Sequence, residues 1–313
     1  MNQACGSVLS IDIGGSKIIA AVVDVNGDIR GKVREPLVYP YTCADVLAAV
    51  LRLGHEALKQ FGSDVICCAA AIPGLADPER GDWIYSSFSG IRDFPIAKNL
   101  SDEFGMPVFI DNDVKACAMG EMRFGACKNV GDFLWVTVSN GIGGCAVVNG
   151  AVLRGANNNA GEVGHINVVE DGFPCACGNR GCAEAYAAGP AIMRRYLALE
   201  GCPNAAGLNA ESIARFALCG DKNAQKAYAD TGYYLGKAIA AAVNALNPRK
   251  VILGGGVSMS MGLFEARMRQ TLDKLVFREA NRDMTVEKTA LGYDAALIGA
   301  AALGLTKSEE LRV

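Results

Sequence analysis

A dominant charge of either sign is missing from this chain. Thirty lysines and arginines against 33 acids leave a net charge of −3, so there is no basic footprint for DNA or RNA. An anionic phosphate would have to be held locally, by backbone N–H groups, a metal ion or single basic residues. Long apolar runs are missing too. Stretches such as Ala238 to Val243 break long before the ~20 residues of a membrane span. The start, Met1-Asn2-Gln3-Ala4-Cys5-Gly6, has neither the charged nor the apolar region of a signal peptide, and a cytoplasmic location is expected. No Walker A loop or G-x-G-x-x-G fingerprint occurs. No linker or low-complexity segment interrupts the 313 residues, which exceed one ordinary core and predict two domains. Histidine is scarce as well. Of the two, His55 stands beside Glu56 in a helical stretch and reads as a surface residue.

Glycine and cysteine, at 37 and 12 residues, are plentiful. Without an export signal the cysteines argue against a disulfide framework, because the cytosol keeps thiols reduced. Cys67, Cys68, Cys117, Cys145 and Cys219 fall in apolar surroundings and are expected to be small core residues.

The chain opens with a strand, Val8 to Ile13, then Gly14-Gly15, a second strand from Ile18 to Val25 and an Asn26-Gly27 hairpin turn into a third. Residues 43–61 have helical spacing. Val65 to Ile72 predicts a buried strand stopped by Pro73-Gly74, and Val108 to Ile110 another, running into Asp111-Asn112-Asp113 and a helix to about Gly125. The opening device then recurs: Leu134 to Val138, a Ser139-Asn140-Gly141-Ile142-Gly143-Gly144 turn, Cys145 to Val148 and Asn149-Gly150. This reads as duplication of an α/β half or as convergence on hairpin chemistry. A helix over about 222–246, a strand Lys250 to Leu253 before Gly254-Gly255-Gly256, and a small-residue helix near Ala295 to Leu303 complete the pattern. The cleft between the halves is the expected ligand site.

Cys175, Cys177 and Cys182 lie within eight residues, and His165 lies ten residues upstream of the first. Glycines at 178 and 181 let the backbone fold back around one point. Three thiolates and one imidazole suit tetrahedral Zn²⁺ and leave no position open for catalytic water, so a structural zinc is predicted. A chance cysteine cluster in a core is the alternative, but the segment is too polar and glycine-rich for a core strand.

Cys-x-Cys-Gly-x-x-Gly-Cys-x-Glu, preceded by Gly161-Glu162-Val163-Gly164-His165, resembles the signature of the ROK family (repressors, open reading frames and kinases). Asp12-Ile13-Gly14-Gly15-Ser16-Lys17, Asn112-Asp113, the turn at 141–144 and Leu253-Gly254-Gly255-Gly256-Val257 fall in that family's order, over residues 8 to 304. The resemblance implies an α/β, two-lobed actin-like ATPase fold (sugar kinase/Hsp70/actin) with a zinc-binding loop in the larger lobe. The expected lobes are 1–115, joined by a C-terminal helix at about 290–313, and 116–289. The family's repressors carry a helix-turn-helix ahead of the first strand. Only seven residues precede that strand here, so the kinase branch is expected, with sugar and ATP as partners and neither nucleic acid nor membrane. Family members are commonly dimers or tetramers, which implies a homo-oligomer.

Phosphoryl transfer to a sugar hydroxyl needs a proton acceptor beside the nucleophile and neutralisation of phosphate charge. Asp113, between a strand end and a helix start, is the candidate general base. Asn112 and Asp113 are equally ordinary helix caps, but family position favours catalysis, with Asn112 on a sugar hydroxyl. By the same resemblance Glu162 and Glu184 contact sugar hydroxyls, and His165 serves the zinc with one nitrogen and the sugar with the other. Gly14, Gly15 and Ser16, with Asn140, Gly141 and Gly143, bring bare backbone to the phosphates; each turn alone would equally close a hairpin. Lys17 belongs to the same nucleotide-side motif, Asp12 is expected to hold the Mg²⁺ that accompanies ATP through water, and Gly255 and Gly256 fit the adenosine side or a turn into a helix.

Three positions depart from the family. Lys115 replaces the second Asn of Asn-Asp-x-Asn, Asn140 stands where many members have Thr, and Ser87 stands where glucose-type members have a sugar-contacting Asn. The last leaves room for another epimer or an N-acetyl group. Two functions follow: an ATP-dependent kinase of a hexose or N-acetylhexosamine, or a sugar-sensing regulatory protein without turnover. A zinc-ribbon nucleic-acid module would want two Cys-pair knuckles and a basic face.

Overall fold

The structure, a computed structural model, describes residues 6–86, 89–199 and 207–312; Ser87 lies outside the described residues. The chain divides into two compact units, Met1–Asn129 with Arg154–Asn159 and Asp294–Val313, and Val130–Leu153 with Ala160–Tyr293. The division thus falls after Asn129 rather than at 115. The reason is packing: the helix that begins at Asp113 lies on the terminal helix Ala295–Glu310. Contact there is so close that a Cβ at Gly299 would strike the carbonyl of Ala116.

In the first unit β1 (Ser7–Ile13), β2 (Lys17–Val23) and β3 (Ile29–Pro36) form an antiparallel meander. Helix α1 (Cys43–Phe61) crosses over to β4 (Val65–Ile72), parallel to β1. A small sheet of β5 (Leu75–Asp77), β6 (Asp82–Tyr85) and β7 (Arg92–Phe94), for which the sequence carries no strong periodic signal, precedes α2 (Ile96–Phe104). Strand β8 (Val108–Asn112) then pairs with β4 and runs directly into α3 (Asp113–Arg123). The main sheet has the order β3-β2-β1-β4-β8.

Its apolar continuity follows from burial on both faces. Leu9, Ile11, Cys68, Ala70 and Ile72 pack with Val46, Val50, Leu53 and Ala57 of α1. The intervening residues Val8, Cys67, Ala69 and Ala71 pack on the other side with Leu297, Ala300 and Ala301 of the terminal helix. Adjacent Cys67 and Cys68 therefore enter different cores, as period-two alternation requires. Helix α1 starts where Thr42 and Asp45 form a capping box, each satisfying an N–H that the helix cannot.

The second unit repeats the design. Strands β9 (Phe133–Val138), β10 (Ile142–Val148) and β11 (Ala151–Val152) form the meander, its last turn using Asn149 and Gly150 at positive φ. Helices α4 (Ala183–Ala187), α5 (Gly189–Leu197), α6 (Ala210–Leu218) and α7 (Lys222–Leu246) lead to β12 (Lys250–Gly254), parallel to β9. Helix α8 (Glu265–Leu275) leads to β13 (Thr285–Lys288), parallel to β12. The order β11-β10-β9-β12-β13 matches the first sheet strand for strand. The β1–β2 and β9–β10 turns, singled out for their glycines, are thus equivalent positions in two sheets.

Cysteines 67, 68, 117 and 145 are buried as expected, but Cys219 is exposed. It follows the last residue of α6 and donates its N–H back to Arg215, so it caps a helix end. The described cysteines are all free thiols. Among the described residues no helix is long and apolar enough to cross a membrane.

Candidate active site and metal centre

Each unit gathers one set of the expected residues. In the first unit, Asn112 ends β8 and caps α3. Its Oδ1 accepts from the N–H groups of Val114 (3.0 Å) and Lys115 (3.2 Å). Its Nδ2 donates to the carbonyl of Gly74 (2.9 Å) and to Oδ1 of Asp113 (3.0 Å). The capping role is therefore present, and a sugar hydroxyl could be met only by exchange of one of these bonds. Asp113 Oδ1 also accepts from Val114 N–H at 2.9 Å, so Oδ2 is the oxygen available to take a proton.

Burial pushes the Asp113 carboxyl up to about 7, the nearby Asp12 carboxylate adds to the rise, and backbone N–H donation together with Lys115 opposes it. Burial likewise lifts Asp12, near the end of β1, to about 6, against the attraction of Lys17 and with the help of Asp294. Asp12 and Asp113 are thus near neighbours. Gly14 closes the β1–β2 turn by donating to the Lys17 carbonyl at 2.9 Å, while Gly15, Ser16 and Lys17 are exposed. A carboxylate oxygen suits Mg²⁺, and an exposed glycine turn beside it suits a polyphosphate.

Two neighbours were not legible in advance. Asp111, 1% exposed, is paired with Arg154 at 2.8 Å, across 43 positions of sequence. That pair joins the Arg154–Asn159 segment to the strand end that carries Asp113. Lys115, the departure from the family's Asn, is itself only 4% exposed.

In the second unit the β9–β10 turn is held on several sides. Ser139 N–H closes it on the Gly141 carbonyl (2.8 Å), and Gly189 N–H holds the Ser139 carbonyl (2.8 Å). Gly255, at φ +84°, sits where a Cβ would lie 2.5 Å from the Val138 carbonyl, and Gly256 lies beside Ser139. Asn140, Gly141, Gly143, Gly255 and Gly256 therefore converge on one surface, with Asn140 exposed at the turn. A Cβ at Gly164 would overlap the Ile142 carbonyl, so the segment carrying Glu162 and His165 runs directly against β10.

The zinc set also assembles. One ligand atom from each of His165, Cys175, Cys177 and Cys182 lies within 4.8 Å of all the others. His165 Nδ1 is 3.7 Å from Cys175 Sγ, and Cys177 Sγ is 3.7 Å from Cys182 Sγ. Zn–S bonds of ~2.3 Å in a tetrahedron separate sulfurs by about 3.8 Å, so the residues fit the ion. Gly178 and Gly181 have φ of +93° and +78°, and a Cβ at Gly181 would overlap the Val169 carbonyl. The loop could not close with side chains there. Burial and the neighbouring thiols push Cys182 up to about 12, whereas Asn179 N–H holds Cys177 below its ordinary value. A dication is what would render all three thiolates at once.

Around this loop the expected sugar residues follow in sequence of contact. His165 Nε2, the nitrogen turned away from Cys175, lies 3.9 Å from Glu162 Oε2, and Glu162 is half exposed. Glu184 is different from expectation in one respect. Its Oε2 accepts from Ile142 N–H at 3.0 Å, and its Oε1 lies 3.7 Å from Cys175 Sγ.

Two α/β units of matching strand order, each with a glycine turn between its first two strands, define the actin-like ATPase fold shared by sugar kinases, Hsp70 and actin. The ROK family model matches residues 8–307, and the chain belongs to the ROK family. It is 33% identical over 311 residues to a glucokinase of Halalkalibacterium halodurans, covering 93% of this chain and 92% of that protein. It is 28% identical over 304 residues to the xylose repressor of Bacillus subtilis, covering 96% of this chain and 78% of the repressor. The structure of a ROK family glucokinase from Streptomyces griseus, in complex with glucose and AMPPNP, superposes with a TM-score of 0.85 at 29% identity, covering 95% and 99% of the two chains.

Proposed function

We propose that this chain is an ATP-dependent sugar kinase that phosphorylates a hydroxyl of a hexose or N-acetylhexosamine. The observation that carries the reading is Asp113: a carboxyl at a strand end, pinned through one oxygen, with its pKa raised to about 7. A general base is most effective when its pKa lies near the working pH. The glucokinase relatives and the nucleotide-bound structural neighbour support the same assignment.

In the reaction Asp113 Oδ2 accepts the hydroxyl proton as the sugar oxygen bonds to the γ-phosphorus. The bond from that phosphorus to the β–γ bridging oxygen breaks, giving ADP and sugar phosphate. Asn112 aims Asp113. Glu162, the Nε2 side of His165 and Oε1 of Glu184 bind sugar hydroxyls. The bare backbone at Gly14, Gly15 and Ser16 and at Gly141 and Gly143, with Lys17 and Asn140, faces the phosphates, and Gly255 and Gly256 back the adenosine. Mg²⁺, when bound, would neutralise phosphate charge, and Asp12 would hold it. His165, Cys175, Cys177 and Cys182 would hold a structural Zn²⁺, which would fix the direction of the His165 ring and the sugar-facing glutamates.

A coupled ADP-release screen over hexoses and N-acetylhexosamines tests the reading. At least one sugar should stimulate ADP formation, and Asp113→Asn should abolish the stimulation while retaining sugar binding. Sugars that bind without any ADP release in the parent protein would transfer the pocket to a sensing role in a regulatory protein, and a xylose repressor is among the relatives.

A further inference from the structure

Glu184 stands two residues beyond the metal ligand Cys182, and its carboxylate is spent in an unexpected direction. Oε2 accepts the Ile142 N–H at 3.0 Å, in the turn between β9 and β10. A Cβ at Gly141 would lie only 2.6 Å from that same oxygen, so the carboxylate is seated flush against the turn backbone. The remaining supports of the turn are neutral backbone contacts from Gly189 and Gly255. Glu184 supplies the one charge-assisted bond described there, and such bonds are roughly twice as strong as neutral ones.

The electrostatics make this placement informative. A carboxylate beside a turn that faces phosphates adds some repulsion, so its presence there is informative where it holds a donor that the turn needs held. Ile142 N–H is such a donor. Once it is bonded to Glu184, the backbone of the turn on either side of Ile142 is held in one arrangement. The other oxygen, Oε1, lies 3.7 Å from Cys175 Sγ, so the same side chain touches the metal loop.

We infer that Glu184 is a positioning residue for nucleotide: it couples the metal-binding loop to the β9–β10 turn and fixes that turn for the phosphates of ATP, in addition to its sugar contact. This rests on the sugar-kinase reading, in which the turn faces phosphate.

The test is calorimetric titration of a non-hydrolysable ATP analogue with Mg²⁺, without sugar, into the parent protein, Glu184→Gln and Glu184→Asp. Zinc content and melting temperature are measured on each. The amide oxygen of Gln reaches Ile142 N–H, whereas the shorter Asp does not. Nucleotide affinity should therefore fall about threefold in Glu184→Gln, which keeps the bond without its charge, and about tenfold in Glu184→Asp, the loss of one hydrogen bond to a charged group. A residue serving only sugar would leave the three affinities equal, and a folding defect would appear in melting temperature or zinc content. Equal nucleotide affinity in all three proteins, or a greater loss in Glu184→Gln than in Glu184→Asp, overturns the inference. Failure of the parent protein itself to bind nucleotide overturns instead the kinase reading beneath it.

Discussion

Nδ2 of Asn112 lies 3.0 Å from Oδ1 of Asp113 while Oδ1 of Asn112 caps the helix that Asp113 begins. One amide thus ties the proposed base to the end of β8, and only the second carboxylate oxygen is left to act. The pKa of about 7 sets the pH at which it can do so.

A base works only when deprotonated. The acid limb of kcat/KM, which reports the free enzyme, should therefore bend near pH 7 and fall about tenfold per unit below it. The nearby Asp12 carboxylate raises Asp113, and Lys115 lowers it. Asp12→Asn should move the bend to lower pH and Lys115→Asn to higher pH, whatever either does to the plateau. A pH–rate profile of the three proteins on one sugar checks this, and coincident acid limbs would remove Asp113 from the base role.

The same shift has a stability consequence. The folded-state value of about 7 lies above the ordinary 3.8, so folding favours the protonated acid. Stability from this group is therefore fullest below about pH 4 and is lost as pH rises through 7. Asp113→Asn cannot ionise. It should melt higher than the parent, by more at pH 8 than at pH 5, while losing turnover. Thermal melts across that range check the prediction; a variant less stable at pH 8 contradicts it.

Metal loss should act at a distance from the chemistry. With all three thiols brought within 4.8 Å of one another and of His165, a closed Cys₃His site would hold about one zinc per chain. Chelation, Cys182→Ser or Gly181→Ala should each lower zinc content and melting temperature together. Gly181→Ala is the sharper case, since it keeps every ligand residue and forbids the loop its φ of +78° and its close approach to the Val169 carbonyl. Elemental analysis of that variant decides the matter: full zinc at unchanged melting temperature would mean the loop geometry is not what holds the ion.

Much of this was readable before the structure because it is local. Apolar runs stopped by glycine or Pro-Gly located β1 and β4, Asn149-Gly150 located a hairpin turn, and eight residues of glycine-spaced cysteine located the metal loop. Spacing could not show the direction of Glu184, because its partner Ile142 is 42 positions away and backbone N–H groups leave no mark in sequence. It could not place Cys219 either, since a cysteine at a helix end has the same apolar neighbours as one in a core. The unit boundary was misplaced because α3 begins at a strand end in one unit and its packing partner is the terminal helix.

The pairing of Asp111 with Arg154 is the least legible of all and has a measurable weight. Asp111 is 1% exposed and Arg154 still 29% exposed, so the acid depends on the pair far more than the base does. Removing Arg154 strands a buried carboxylate one residue from Asn112, a mechanism that typically costs about 3–5 kcal/mol. Arg154→Ala should therefore destabilise by roughly 3 kcal/mol in urea unfolding and should weaken turnover, because Asn112 N–H also donates to Asp111 Oδ1 at 2.8 Å. Adding Asp111→Asn to Arg154→Ala should recover a good part of the loss, since a neutral amide does not need the guanidinium. The double-mutant cycle separates the two explanations: losses that simply add would show that Arg154 acts through packing, and non-additive recovery shows that charge at Asp111 is what the Arg154–Asn159 segment serves.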